Sequence, residues 1–330
     1  MDISSGSLRA CRRVIVLSAP LVLLLAMQHP AAAQDRPDTL REALKGAGFE
    51  VPDSVVPADL DREWTSSGWS YDDTRFVAAI YFRDEMPRDM ILGPLHLIQI
   101  TKTGKVDRLR LTGDDGIIRG GAIRAVSVQP GIAFVTTHFT PSAGFILVAE
   151  PLFTRVTTLP GFGAQVLPDG TLAFKGNMVH FADYHQQTLK QHRTSNGETV
   201  EIYPGAMKSP VHDRATRAIR KRFEAMSFDK EAREHEADRS IDAWRASADG
   251  GRVALLVGYD SMRLIAEGIP AADHEIVAIA RCDRRNDSWT CSEHPLADVA
   301  RRYKMIIPDT SPAAREAAVN RLLERVLSEQ

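Results

Sequence analysis

The sequence predicts an all-β domain made of repeated short sheets, with helices before, inside and after it. Three observations lead there. From Trp69 to Pro204, short apolar segments alternate with polar residues at a period of two and are broken by turn residues. A turn followed by a strand that is apolar on both sides recurs along the chain. Two amphipathic helical patterns, each introduced by Ser-Pro, stand outside that rhythm at Ser209-Pro210 and Ser311-Pro312.

The first segment of the 330-residue chain reads as an address rather than a structural element. Within 1–33, Arg9, Arg12 and Arg13 form a basic start, and Val14 to Met27 is apolar except for Ser18 and Pro20. Ala31-Ala32-Ala33 supplies small residues for cleavage before Gln34. An uncleaved anchor needs about 20 apolar residues, more than this run contains. No cysteine follows it to carry a lipid, and no later stretch is long and apolar enough to span a bilayer. The expectation is an exported protein, periplasmic or secreted, without a transmembrane segment once the signal is removed. Its 41 basic against 43 acidic residues leave no basic footprint for nucleic acid, and 44% hydrophobic content excludes a largely disordered chain.

A short helix is expected over Arg36 to Ala47, capped by Asp38, with Leu40, Ala43 and Leu44 as its apolar stripe and Gly46 and Gly48 as its stop. The connection from Val51 to Ala58 leads into the β region. Four hairpins follow from the alternation: Leu97 to Thr112 around Lys102-Thr103-Gly104-Lys105, Phe145 to Leu159, Val179 to Thr194, and Ile276 to Ser292. Each is preceded by a turn and an apolar strand. These preceding segments are Ser70 to Ile80, Ser127 to Val135, Leu167 to Phe174 and Ser247 to Val257. Ser70, Asp72 and Arg75 match Ser247, Asp249 and Arg252 at one constant offset.

These segments resemble the repeat of TolB-type β-propellers, whose blades carry Ser-Pro-Asp-Gly followed by a short apolar core. Leu167-Pro168-Asp169-Gly170-Thr171-Leu172-Ala173-Phe174 is the nearest copy. The copies at Ser70 and Ser247 keep Ser and Asp without Pro, and the copy at Ser127 lacks the Asp. The resemblance implies a β-propeller-like fold, here of four to six blades, and nothing about substrate. The interval from Leu167 to Ser247 exceeds one blade of ~40–50 residues, so an amphipathic helix is placed there. Its face is Val211, Ala215, Ile219 and Phe223, with Arg217 outward. A last helix carries Ala318, Val319, Leu322, Leu323, Val326 and Leu327 on one side. The expected organisation is a signal over 1–33 and a helix and linker over 34–63. A β region follows over 64–310, with a helical insertion near 209–243, and a C-terminal helix over 311–330.

Cys282 and Cys291 are the cysteines left after the signal. If Asn286-Asp287 is a two-residue hairpin turn, Cys282 lies directly opposite Cys291 in a non-hydrogen-bonded pair, where Cα atoms are ~4.5 Å apart. A disulfide there suits an oxidising compartment. Arg284 then faces Trp289, in position for a cation–π pair.

Chemistry is harder to locate. The serine-hydrolase elbow, the phosphate loop and a complete dinucleotide fingerprint are absent, so no cofactor is expected. His235-Glu236 begins a zincin-like pattern, but Arg239 stands where the second histidine belongs. His180, Asp183 and His185 form a metal-like set on paper, yet on a strand His180 and Asp183 face opposite ways. The pairs Asp72-Asp73 and Asp114-Asp115 could serve glycoside chemistry, but their neighbours read as turns. Arg214, Arg217, Arg220, Lys221 and Arg222 make the inserted helix basic, either as a solvated face or as a surface for an acidic partner or anionic lipid. The leading expectation is a non-catalytic binding or scaffold module for a protein or small-molecule ligand. The alternative is a hydrolase using Asp72, Asp73, Asp114, Asp115 and His138.

Overall fold

The computed structural model describes residues 37–51, 57–85, 94–111, 122–129, 132–140, 143–149, 156–177, 186–205, 207–261, 264, 277–308 and 311–329. The proposed signal lies outside them. The chain is mostly β, in antiparallel ladders, and among the described residues none closes on itself. The first sheet is β1 (Trp64–Tyr71), β2 (Arg75–Phe82), β3 (Leu95–Thr101) and β4 (Val106–Leu111), paired in chain order. The last is β12 (Asp238–Ala246), β13 (Arg252–Asp260), β14 (Val277–Arg285) and β15 (Ser288–Pro295), paired the same way.

Between them runs a seven-stranded ladder: β5 (Ala122–Gln129), β6 (Ile132–Thr140), β7 (Ala143–Ala149), β8 (Val156–Val166), β9 (Leu172–Gly176), β10 (Leu189–Arg193) and β11 (Glu198–Tyr203). It divides at β8. Val156 to Pro160 pair with β7, whereas Gly161 to Val166 pair with β9. Gly161 sits where the partner changes. A Cβ there would lie 2.6 Å from the Lys175 carbonyl, so the backbones approach too closely for any side chain. The ladder is therefore two four-stranded meanders sharing one long strand, and the described residues form four such meanders in series.

The turn motifs occupy one structural position. The three that carry an aspartate, at Asp72, Asp169 and Asp249, lead from the first strand of a sheet to the second, and the aspartate closes the turn. Asp72 Oδ1 accepts from the Thr74 and Arg75 N–H groups at 2.7 and 2.9 Å. Asp169 Oδ1 accepts from Thr171 N–H at 3.1 Å, and Asp249 Oδ1 from Gly251 N–H at 3.0 Å. The second strand that follows is buried on both sides, and its two faces join different cores. Val77, Ala79 and Tyr81 meet Ala133, Val135 and Leu147 of the second sheet. Ile146 and Val148 meet Leu172 and Phe174 of the third. Ala173 and Leu189 meet Val253, Leu255 and Val257 of the fourth.

The two end faces are covered by helices. Helix α1 (Leu40–Gly46), with Leu60 of α2 (Pro57–Leu60), packs on Phe76, Ala78, Ile80 and Phe82. Thr39, rather than Asp38, caps α1: its hydroxyl accepts from Glu42 N–H, while the Glu42 carboxylate accepts from Asp38 N–H at 2.8 Å. A Thr three residues before a Glu satisfies two helix-end donors reciprocally, which Asp38 at its position cannot do.

Helix α3 (Pro210–Ala225) follows β11, with Ser209 as its cap, and α4 (Asp229–Glu234) comes next. Val211, Ala215, Ile219 and Phe223 are buried in the core between the third and fourth sheets, and Arg217 is exposed. Strand β12 already begins at Asp238, within the stretch read as insertion. At the far end, α5 (Leu296–Arg302) and α6 (Pro312–Ser328) cover Ala254, Leu256 and Ile279 of the fourth sheet.

The hairpin read over Val179 to Thr194 is not the one formed. Val179 to Tyr184 lie outside the described residues, and β10 pairs with β9 on one side and β11 on the other. Both edges of β10 are thus occupied by strands of its own meander. The last hairpin has the expected register. Asn286 takes φ 57°, Cys282 pairs with Cys291 and Arg284 with Trp289. The cysteines are joined, with Cα atoms 4.0 Å apart. Arg284 reaches across to Asp169 at 2.7 Å, and the Trp289 indole N–H donates to Gln191 at 3.2 Å. Both groups bind the third sheet, where a hydrogen-bond acceptor is available to each.

The disulfide spans a sequence separation of 9, so loop-closure entropy gives it ~2–3 kcal/mol. Cys282→Ser is expected to lower the melting temperature without abolishing the fold. Thiol titration of the unfolded, unreduced protein lacking residues 1–33, and with them Cys11, should find no free thiol; two free thiols would remove this account.

Candidate functional site

Most of the core between the third and fourth sheets is apolar, but one end of it is polar and fully enclosed. Five side chains meet there: Tyr203 at the end of β11, Ser209 at the cap of α3, Arg239 on β12, Tyr259 on β13 and Glu293 on β15. Strand alternation places them. Arg239 shares its face of β12 with Ile241, and Tyr259 continues the Val253, Leu255, Val257 row of β13. Glu293 stands on the same side of β15 as Trp289 and Cys291.

The Glu293 carboxylate accepts from the Tyr259 hydroxyl, at 2.9 and 2.7 Å to its two oxygens, and from the hydroxyls of Tyr203 and Ser209. Arg239 lies 3.8 Å from Glu293, and both side chains are 0% exposed. The guanidinium donates to the Tyr203 hydroxyl at 2.8 Å and to the Gly205 carbonyl at 2.5 Å. It also lies over the Tyr203 ring, 4.9 Å from its centre. His212 packs edge-on against Tyr259 at 5.7 Å. Burial pushes the Tyr203 and Tyr259 phenols well above their usual range, and Glu293 adds to this. Both therefore remain protonated donors. Each hydroxyl of the cluster donates to Glu293, whose two oxygens both accept.

A second link lies along the same seam. Strand β12 has an irregular register between Ile241 and Ala243. Ile241 there turns its N–H to Gln187 Oε1 at 2.6 Å and its carbonyl to Lys175 Nζ at 3.0 Å. Burial lowers the Lys175 pKa, with Asp242 acting the other way.

The first sheet carries a half-exposed ionic cluster. Glu85 accepts from Arg62 at 2.8 Å and from Arg110 at 3.2 Å, and His96 Nε2 lies 3.0 Å from it. Arg62 also pairs with Asp84 at 2.5 Å and covers the Phe82 ring at 3.9 Å. Burial opposes ionisation of Glu85, but the hydrogen bonds from Arg62, His96 and Arg110 outweigh it and hold the carboxyl at about 2.

Of the residues singled out from sequence, Asp72, Asp73, His235, Glu236, Arg239 and the basic residues of α3 fall among the described residues. Asp72 closes its turn and Asp73 is exposed beside it. Asp114, Asp115, His180, Asp183, His185 and the His138 side chain lie outside the described residues. His235 follows α4, edge-on to Phe223 at 5.1 Å, and Glu236 pairs with Lys208 at 3.1 Å. Arg239 is on a strand, so the zincin helix does not exist. Among the described residues, no three His, Cys, Asp or Glu side chains are grouped to hold a metal. On α3, Arg220 donates to the His235 carbonyl at 2.8 Å and Arg222 lies 3.9 Å from Asp260, while Arg214, Arg217 and Lys221 face outward. The buried cluster itself was missed. Its signal was a charged residue on an otherwise apolar strand face, at Arg239 and again at Glu293.

No family model matches the chain, and no curated protein matches it in sequence. Among solved structures, a crystal structure of a Lactobacillus plantarum protein is similar at 11% identity and a TM-score of 0.31. The match covers 70% of this chain and 56% of that one, so the chain spans little more than half the length of its neighbour. No helix among the described residues is long and apolar enough to cross a membrane.

Two predictions follow from these clusters. Arg239→Met leaves a carboxylate buried without its cation and is expected to cost about 3–5 kcal/mol in urea unfolding. Adding Glu293→Leu should recover a large part of that loss, and strict additivity of the two substitutions would show that they do not interact. Glu85 has its folded pKa depressed from 4.5 to about 2, so its stabilisation is complete above pH ~4.5 and lost as pH falls toward 2. Glu85→Gln should flatten the stability profile across that window, and an unchanged acid limb would contradict the assignment.

Proposed function

We propose that the chain is an exported, β-propeller-like protein that acts as a rigid binding or scaffold module, its four meanders serving as blades. The observation that carries this reading is the use made of the repeat carboxylates. Asp72, Asp169 and Asp249 each accept their own turn's N–H groups, and hydrogen bonds hold all three below the usual carboxylate range. Burial opposes that shift at Asp72 and Asp169, and the hydrogen bonds to Thr74 and Thr171 overcome it. Such groups set strand geometry, and acid–base catalysis needs carboxyls free to exchange protons near the working pH. The buried ion pair and the links through Ile241 likewise spend polar groups on holding sheets together. Export is supported by the tripartite N-terminus and by the Cys282–Cys291 disulfide, which suits an oxidising compartment.

The test has two arms. Expression with export should yield a mature protein whose N-terminal sequencing begins at Gln34; retention of residues 1–33 would remove the export reading. The purified protein should show no turnover of chromogenic esters, phosphate esters, glycosides or peptides. Saturable turnover that disappears in Asp72→Asn or Asp114→Asn would replace the scaffold by a hydrolase.

A further inference from the structure

The polar end of the core between the third and fourth sheets is built like a receptor for a carboxylate. Glu293 accepts from three hydroxyls, which reach both of its oxygens, and faces the Arg239 guanidinium. The donors are placed by contacts that do not involve Glu293. Arg239 donates to the Tyr203 hydroxyl and to the Gly205 carbonyl, and its guanidinium lies over the Tyr203 ring. The Ser209 hydroxyl accepts from His212 N–H at 3.1 Å as the cap of α3. Tyr259 lies opposite Arg239 in the β12–β13 ladder, with His212 edge-on to its ring. The donor set thus belongs to β11, β12, β13 and the start of α3, and β15 supplies the acceptor.

Charge and shape define what fits. Arg239 is fully buried, so its cation needs an anion beside it. Among the described residues its Nε has no hydrogen-bond partner, which leaves a further guanidinium donor to satisfy. Hydroxyls that converge on two oxygens suit a carboxylate, since each of its oxygens accepts more than one hydrogen bond. A chloride ion brings the charge without the second oxygen. Replacing Glu293 by Ala removes Cγ, Cδ and both Oε atoms, and the methyl and carboxylate groups of acetate replace these atom for atom. Propionate brings an extra methylene, which a packed core accommodates poorly.

We propose that this cluster is a binding site for small carboxylates of the size of acetate, and that Glu293 is its resident ligand, carried into place by β15. The unaltered chain is closed to carboxylates from solution, and loss of the Glu293 side chain opens the site to them. An ion pair whose donors were positioned by Glu293 itself would instead rearrange or fill with water, with no preference for acetate. The site does not depend on export or on what the module binds.

The experiment follows urea unfolding of the mature full-length protein near neutral pH, in sodium acetate and in sodium chloride at equal ionic strength. Glu293→Ala should be less stable than the unaltered protein in chloride. Acetate should raise its folding equilibrium constant about tenfold by about 0.2 M, along a curve for one bound ligand, and propionate should do less. Glu293→Gln keeps the space filled, and Glu293→Ala combined with Arg239→Met lacks the cation. Neither of these, nor the unaltered protein, should gain more from acetate than from chloride. Where Glu293→Ala is unfolded in chloride, recovery of a cooperative unfolding transition in acetate reads the same binding. Equal responses of Glu293→Ala to acetate and chloride overturn the proposal. So does an undiminished acetate response in the combined variant, or a Glu293→Ala chain that stays unfolded at every acetate concentration.

Discussion

A strand that is apolar on both sides obliges its sheet to be covered on both faces, and the rest of this molecule follows from that obligation. Strand β2 is buried along its whole length, with Phe76, Ala78, Ile80 and Phe82 facing one core and Val77, Ala79 and Tyr81 facing another. Strand β13 does the same with Val253, Leu255 and Val257 against Ala254 and Leu256. Among the described residues, four sheets of this kind in series share three inter-sheet cores and leave two outer faces. Those faces are covered by α1 with α2 at one end and by α5 with α6 at the other. Burying a Leu, Val or Phe side chain is worth about 1.5–3 kcal/mol, so leaving either face bare would forfeit much of the margin of a typical domain.

Apolar faces are not directional, and polar groups give the stack its register. The core between the third and fourth sheets holds an ion pair, two phenols and a serine hydroxyl in one connected set, contributed by β11, β12, β13, β15 and the cap of α3. A buried charge is tolerated only when it is paired and hydrogen-bonded. A sliding displacement of one sheet along the other would take the Tyr203 and Ser209 hydroxyls from Glu293, leaving it only Tyr259 and Arg239 of its own sheet, so the cluster favours one alignment. The Lys175 and Gln187 links to Ile241 act on the same seam, where the irregular register of β12 leaves main-chain groups to satisfy.

Local features were legible in the chain because their physics is local. The disulfide register follows from counting outward from Asn286-Asp287, since the antiparallel ladder allows one partner per residue. The stripe of α3 follows from helical periodicity, and the repeat turns follow from an aspartate placed to accept its own backbone. The cap of α1 was misplaced by one residue because Asp38 and Thr39 are both good caps, and the Glu42 carboxylate decides between them. The third hairpin was misread because alternation marks a strand without naming its neighbour, and β10 is claimed on both edges.

By itself the sequence determined the β character, the four turn-and-strand repeats, the helix faces and the cysteine pairing. Each of these depends on residues within about one element of each other, where chain connectivity fixes the geometry. Tertiary structure alone decided that Arg239 and Glu293 meet, that Arg284 pairs with Asp169, and that Arg252 holds the end of α6 although its counterpart Arg75 is buried against Gln99. These pairings join residues far apart in the chain. A charged side chain selects its partner from whatever packing brings within hydrogen-bond reach, and that neighbourhood exists only once the apolar faces have chosen how to stack.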